Sequence, residues 1–575
     1  MSSVRPRHRA TPVRRLPLVG VLRLDRPSDI WFKPALSVVV AVGVPNLTLL
    51  ALGRLDLALY SMAGSLCALY AHNLPYAARG RVLARVVLGM LASVAVALVT
   101  ASLTSSAVVL VAVGALLAAA HKAVCDLTRI GPPGPVIFSF ISSASLFAPQ
   151  TLGQVPGHLA LAAAAGAWAW LVGMAPGLVR PHGPERRATA RALNAAAGYV
   201  TAYEPVSASG VRGEAGHERA RVAAAAAVHA AWQSLLAGGA RPEPRRTLER
   251  LVVRAEVALA APADADPARL RSWARDLRGT QPVPRVASGR DADELLGVEV
   301  ELLEAGPAAG KSDERGWTGR LGPLLPLALR TALGCALAGY VSLALGVGRP
   351  YWALVTAASL YQANLTLTWS RGVQRVVGNL VGVLLFAAVA PLAHLGPAAL
   401  VLCCLAFNFG AEALITRNYW LGSICVTPMA LLITEFTGFQ EPGGLMTDRV
   451  VDTLVGAAVG FVTAVAVTNR RAGDRVEDAL DTVERAREYA ARLAAAEWPG
   501  PGPGPGPGPG ALEAARRRLA AALVELRATA DAAAGEWWQR ALPQERVMLA
   551  EQAGHRTLAA TVRRQGPHVL EDAEA

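Results

Sequence analysis

Twelve apolar runs with few charges occupy most of this chain, six before a charged middle stretch and six after it. Each approaches ~20 residues, the length that carries an α-helix across the ~30 Å hydrocarbon core of a bilayer. Lipid gives a bare backbone no hydrogen-bond partner, so a spanning segment must satisfy its own amides as a helix. The runs lie near 33–53, 56–73, 84–103, 105–121, 135–150 and 156–179, then near 322–347, 350–368, 374–394, 396–415, 418–437 and 449–468. The expected fold is an all-α polytopic membrane protein.

Charge supports that reading. Of 575 residues, 53% are hydrophobic and only 17% charged. That is too little charge for a soluble protein of this size. The formal net charge of +13 comes from arginine, since Lys33, Lys122 and Lys311 are the only lysines. With so much Ala, Gly and Pro, this usage reflects a GC-rich genome. The arginines flank apolar spans and form no stripe interleaved with aromatics, so no nucleic-acid partner is expected. Cys67, Cys125, Cys335, Cys403, Cys404 and Cys425 lie in or beside spans without a CxxC pair. No disulfide framework and no metal site is expected. The apolar stretch before residue 34 is interrupted by Arg23, Asp25 and Arg26, so no cleavable signal is expected.

Arginine placement sets orientation, because basic loops stay in the cytoplasm. Basic residues precede span one (Arg5 to Arg26) and sit between spans two and three (Arg79, Arg81, Arg85) and four and five (Lys122, Arg129). They also follow spans six (Arg180, Arg186, Arg187), eight (Arg371, Arg375), ten (Arg417) and twelve (Arg470, Arg471). All fall on one side if every span is real. The expectation is a multi-pass plasma-membrane protein with both termini inside. Its parts are a basic N-terminus (1–32), a first six-span unit (33–179), a cytoplasmic helical domain (180–320), a second six-span unit (321–468) and a tail (469–575). The tail reads as a helical hairpin, near 474–497 and 511–530, whose arms are joined by a Pro-Gly spacer at 499–510. The middle domain should hold helices at 218–237 and 243–260, with Pro267 opening another.

Ala305 to Ser312 (AGPAAGKS) ends like a phosphate-binding loop. Such a loop needs a strand before it and a helix after it. Here Asp291 to Glu294 resembles a helix start, Leu295, Val298 and Leu302 repeat at helical spacing, and Asp313 to Gly322 is polar and leads into span seven. The stretch reads as a link, and no nucleotide or other cofactor is expected.

The two halves share landmarks in order. Lys33-Pro-Ala-Leu36 matches Arg330-Thr-Ala-Leu333, Gly53-Arg54 matches Gly348-Arg349, Arg79-Gly80 matches Arg371-Gly372, and Arg85-Val-Val87 matches Arg375-Val-Val377. Even-numbered halves imply two parallel six-helix transmembrane repeats about an axis along the membrane normal, each followed by a cytoplasmic helical domain.

Arg330, Tyr351-Trp-Ala-Leu354, Gln362, Arg371, Arg375, Gly378 and Gly382 resemble the fusaric acid resistance and aromatic acid exporter superfamily. In the first half Leu59-Tyr60 stands in place of the Tyr-Trp pair. The resemblance implies efflux of aromatic or other organic acids, driven by the proton gradient. A plant branch of the same superfamily conducts organic anions passively.

Polar groups within spans are costly and mark paths or helix contacts. The expected substrate path runs through Arg330, Tyr351, Trp352, Gln362, Arg371, Arg375, Asn379 and Asn408, with Glu412 and Asp452 as proton-coupling candidates. Each has a plainer role open to it. Arg371 and Arg375 could fix orientation, and Glu412 could pair with Arg417 or Arg375. Asp452 could cap span twelve beside Arg449. Asn379 and Asn408 could bond neighbouring helices, and Tyr351, Trp352 and Trp369 could form an interfacial aromatic belt. No nucleophile or metal set suggests an enzyme. The expected partners are the lipid bilayer, small organic anions, and a second copy or accessory efflux subunits. A passive channel or a non-transporting scaffold are the other readings.

Overall fold

The computed structural model describes residues 18, 20–24, 30–128, 130–203, 210–237, 243–260, 262–279, 282–284, 325–467, 472–496, 511–536 and 542–565. The loop at 305–312, the helix start at 291–302 and the spacer at 499–510 lie outside these residues. Among those described, all regular structure is helical.

The first membrane unit holds α1 (Phe32–Ala51), α2 (Ala58–Ser65), α3 (Tyr76–Leu103), α4 (Ala107–Leu127), α5 (Pro135–Leu146) and α6 (Val155–Met174), followed by the single turn α7 (Pro176–Val179). The second holds α12 (Leu325–Ala344), α13 (Tyr351–Leu360), α14 (Leu365–Ala393), α15 (Pro397–Ile415), α16 (Tyr419–Thr434) and α17 (Pro442–Ala466). Between them lie α8 (Gly183–Tyr203), α9 (Gly210–Ala237), α10 (Glu243–Ala260) and α11 (Pro267–Arg278). After them come α18 (Ala472–Ala495), α19 (Ala511–Ala534) and α20 (Gln544–Gln565). Nine helices among the described residues are long and apolar enough to cross a membrane, and this is a membrane protein of several such helices. Leu55–Leu69, Pro135–Leu146 and Tyr351–Leu360 are apolar but shorter.

Two short helices are internal, which is why they need not match the length of a lipid-facing span. Every residue of α13 is buried, and so is all of α2 except Leu59. Their neighbours approach closely through glycine. A Cβ at Gly64 would stand 2.1 Å from the Ala162 carbonyl oxygen on α6, and one at Gly456 on α17 would stand 2.4 Å from that of Ala353 on α13. Within each unit the third helix packs on the fifth and sixth. Between units α1 packs on α15, and α12 packs on α4.

Span boundaries differ from the expected ones where arginine is read as marking a loop. The basic segments around Arg79 and around Arg371 and Arg375 are not loops. They lie inside α3 and α14, helices of 28 and 29 residues. At ~1.5 Å per residue these exceed the ~30 Å core, so their first turns can carry charge. Span eight ends at Leu360, not 368, because Asn364 caps the next helix. Its Oδ1 accepts from the Leu367 N–H at 2.8 Å, and α14 starts at Leu365, well before the expected 374.

The extramembrane helices form two small cores. Leu193, Trp232, Leu251 and Leu270 centre the first, and Val483, Leu519, Leu523 and Leu526 the second. Pro267 does open α11, capped by Asp266, whose Oδ1 accepts from the Ala268 N–H at 2.8 Å. The tail holds a third helix beyond the expected two arms. This helix, α20, packs on α18, α19 and α10. Arg527 of α19 bonds both Glu551 of α20 and, at 3.1 Å, Glu218 of α9, so the two extramembrane groups are joined.

Candidate functional site

The second membrane unit gathers cations that carboxylates do not neutralise. Arg371 and Arg375 sit four residues apart on one face of α14, and both reach Tyr419 at the start of α16. The Arg371 guanidinium carbon lies 3.7 Å from the centroid of that ring. Arg375 Nη1 donates to the phenol oxygen at 2.8 Å, while its buried Nε has no hydrogen-bond partner. Glycines 378 and 382 carry the same stripe onward. A Cβ at Gly378 would stand 2.7 Å from the Trp420 carbonyl oxygen, so α14 and α16 approach backbone to backbone.

Arg449 on α17 joins this group. It is 2% exposed, and its Nε and Nη1 have no partner. Its guanidinium carbon lies 5.2 Å from the centroid of the Trp352 ring, within electrostatic reach of Arg375 and Asp452. Asp452 is one turn further along α17 but makes no ion pair with it among the described residues. Its Oδ1 instead accepts from Ser342 of α12, and its Oδ2 is unpartnered. Leaving a buried guanidinium unpaired costs several kcal/mol, by roughly the desolvation of one charge. Sequence alone presents Arg449 only as a neighbour of a capping Asp452. The signal it does carry is its place eight residues into a helix whose other charges are only Asp448 and Asp452.

The expected path residues separate into groups. Tyr351 and Trp352 are not an interfacial belt. Trp352 is 1% exposed, beneath the guanidiniums of Arg449 and, at 5.3 Å, Arg349. Tyr351 packs on it and on Phe147. Asp452 is not at the cap of α17, since that helix begins at Pro442. Asn379 bonds helices together: Thr427 Oγ1 donates to its Oδ1 at 2.6 Å, and its Nδ2 donates to the Arg375 carbonyl at 2.9 Å. Asn408 is buried and donates within its own helix to the Cys404 carbonyl. Glu412 pairs with neither Arg417 nor Arg375, and no ion pair reaches it among the described residues. Arg330 and Gln362 stand apart from the arginine cluster, at the break between α13 and α14. The Arg330 guanidinium carbon lies 5.6 Å from the Tyr361 ring centroid, and Gln362 donates its backbone N–H to Thr368 Oγ1.

Among the described residues, the first unit offers no equal cluster. Arg79, the counterpart of Arg371, is buried against His72, with Nη2 3.1 Å from the ring Nδ1. Burial and then Arg79 hold His72 down to about 3, so its imidazole is neutral and accepts. A groove of about 320 Å³ lies along α3 to α5, lined mostly by apolar residues such as Val82, Val96, Leu117 and Phe138. It shares no lining residue with the arginine cluster.

Residues 336–463 match the family described as fusaric acid resistance protein-like. The matched domain contains Tyr351 through Asp452 of the site, Arg449 included, and Arg330 lies just before it. Among curated proteins, YvaC, a membrane protein of Bacillus subtilis, is 30% identical over 165 residues, 28% of this chain and 26% of its own. A Haemophilus influenzae protein is 30% identical over 138 residues, 24% of this chain and 18% of its own. The chain thus spans about a quarter or less of the length of these relatives. No solved structure matches it.

Proposed function

We propose that this chain is a plasma-membrane transporter that exports organic anions of the aromatic carboxylate type. The observation that carries the reading is the group of half-buried Arg371 with buried Arg375 and Arg449, unpaired with any carboxylate among the described residues and walled by Tyr351, Trp352 and Tyr419. A carboxylate entering a low-dielectric cavity must meet positive charge, or its desolvation opposes entry. Guanidinium forks suit carboxylates, and aromatic walls suit a ring behind them. Two parallel repeats fit the reciprocal packing of α1 on α15 and α12 on α4, and the paired close approaches at Gly64 and Gly456. Both termini and the extramembrane helices are placed in the cytoplasm by the same arginine bias that motivates the topology.

A passive conductance is favoured over proton coupling at Glu412. No arginine reaches Glu412, so its titration does not release one. A carboxylate competing for the arginines would, once protonated, favour binding of anion and proton together. That drives both the same way and opposes export against a proton gradient. An inside-negative potential already drives anions out, by ~2.3 kcal/mol per charge at 100 mV. The test in cells is deletion and overexpression, with susceptibility measured across a panel of aromatic acids. Unaltered susceptibility to every acid in both strains counts against the reading.

A further inference from the structure

The break between α13 and α14 is occupied from outside the membrane unit. The Thr366 N–H, an orphan first-turn amide of α14, donates at 3.2 Å to the carbonyl of Gly535 at the end of α19, and Thr366 Oγ1 donates to the same oxygen at 2.9 Å. Gly535 sits so tightly on Asn364 that an added Cβ would stand 2.2 Å from its Cγ. This contact brings the next residue, Glu536, within electrostatic reach of Arg330. Arg330 is 3% exposed, and its Nε and Nη2 have no partner. Glu536 Oε1 is likewise buried and unbonded. The two charges feel each other without a direct hydrogen bond. Burial pushes the Glu536 carboxyl above its ordinary value, and Arg330 draws it back.

Three features make this a seat for an anion. The N-terminus of a long helix carries partial positive charge. A buried guanidinium with free donors points at the same break. A carboxylate is already drawn there without saturating those donors. We propose that Arg330 and the start of α14 form a carboxylate-binding site, covered in this structure by Gly535 and Glu536, so that the C-terminal helices act as a tethered inhibitor which a free carboxylate displaces. Its effect on flux rests on the transport reading above, whereas the seat itself does not.

The test uses the full chain in lipid nanodiscs, with benzoate as the probe. Hydrogen exchange is followed for the segment 365–368, and exchange in α3 and α17 reports folding. Glu536→Gln, which keeps the shape of the side chain, should raise exchange at Thr366 by about tenfold or more. Gly535→Ala, which pushes on Asn364, should do the same. Benzoate should raise exchange in the wild type and add nothing in Arg330→Gln. Wild-type exchange in both Glu536→Gln and Gly535→Ala, or no response of the wild type to saturating benzoate, overturns the proposal. Benzoate flux in proteoliposomes should rise in Glu536→Gln, and a fall overturns the inhibitory role. Exchange shifts of the expected kind with no benzoate flux from any form leave the seat standing and count against the transport reading alone.

Discussion

The Arg449 guanidinium carbon stands 5.2 Å from the centre of the Trp352 ring, buried where no carboxylate among the described residues pairs with it. A cation over an indole face gains ~1–2 kcal/mol when desolvated, less than the charge loses on leaving water. The surplus cost is the reason to expect a ligand there. Replacing Arg449 by Gln should therefore stabilise the empty protein by about 1–3 kcal/mol, raising its melting temperature in detergent. Benzoate should raise the melting temperature of the wild type, by binding the folded state, and leave that of the variant unchanged. A lower melting temperature for Arg449→Gln without ligand would mean the guanidinium holds the fold together.

Arg375 and Arg417 separate path from orientation. Arg375 is buried and bonded to Tyr419, whereas Arg417 lies exposed after α15. At equal membrane abundance, Arg375→Gln should slow benzoate export about tenfold or more, and Arg417→Gln less than about twofold. Initial rates in inverted vesicles decide it. Equal small effects would make both arginines topology signals only.

Much of the architecture is legible in the amino-acid sequence. Apolar length locates twelve helical segments, and the four-residue spacing of Arg371 and Arg375 puts them on one face once the helix is continuous. The boundaries are not legible, because an arginine looks the same in a loop as in the buried first turns of a long helix. Arg449 is hidden for a related reason. Its neighbours Asp448 and Asp452 suggest local pairing, yet Asp448 pairs with Arg349 at 3.5 Å and Asp452 accepts from Ser342. Glu536 is hidden too, since nothing in the sequence ties residue 536 to residues 364–366.

The close approach of α13 and α17 makes a packing test. Gly456→Ala must push Ala353 or Thr356 aside, at a cost of about 1–3 kcal/mol. Nothing lies within 4 Å of a Cβ at Gly443, so Gly443→Ala should change stability by less than about 0.5 kcal/mol. Thermal unfolding in detergent compares them, and equal melting temperatures would contradict the packing described.

His555 on α20 gives the extramembrane helices a pH dependence. Burial, followed by Arg221, holds it down to about 4, below its ordinary 6.5, against a smaller upward pull from Glu218. Between these values the unfolded chain takes a proton that the folded chain refuses. His555 thus supports stability fully above about 6.5 and loses it as pH falls towards 4, by about 3 kcal/mol in all. Glu551 beside it is shifted up by burial, so it gains a proton on folding and offsets part of that loss. Protection factors of residues 544–565, corrected for intrinsic exchange, should fall from pH 7 to pH 5 more in the wild type than in His555→Gln. Parallel falls in the two would remove His555 as the cause.

The most direct test is efflux of labelled benzoate from proteoliposomes holding the purified chain, with an inside-negative potential set by potassium and valinomycin. The wild type should release benzoate faster as the potential grows and ignore a pH gradient of equal size. Arg449→Gln should fall close to the rate of empty liposomes. Potential-driven efflux through Arg449→Gln at the wild-type rate would contradict an anion path through the buried arginines.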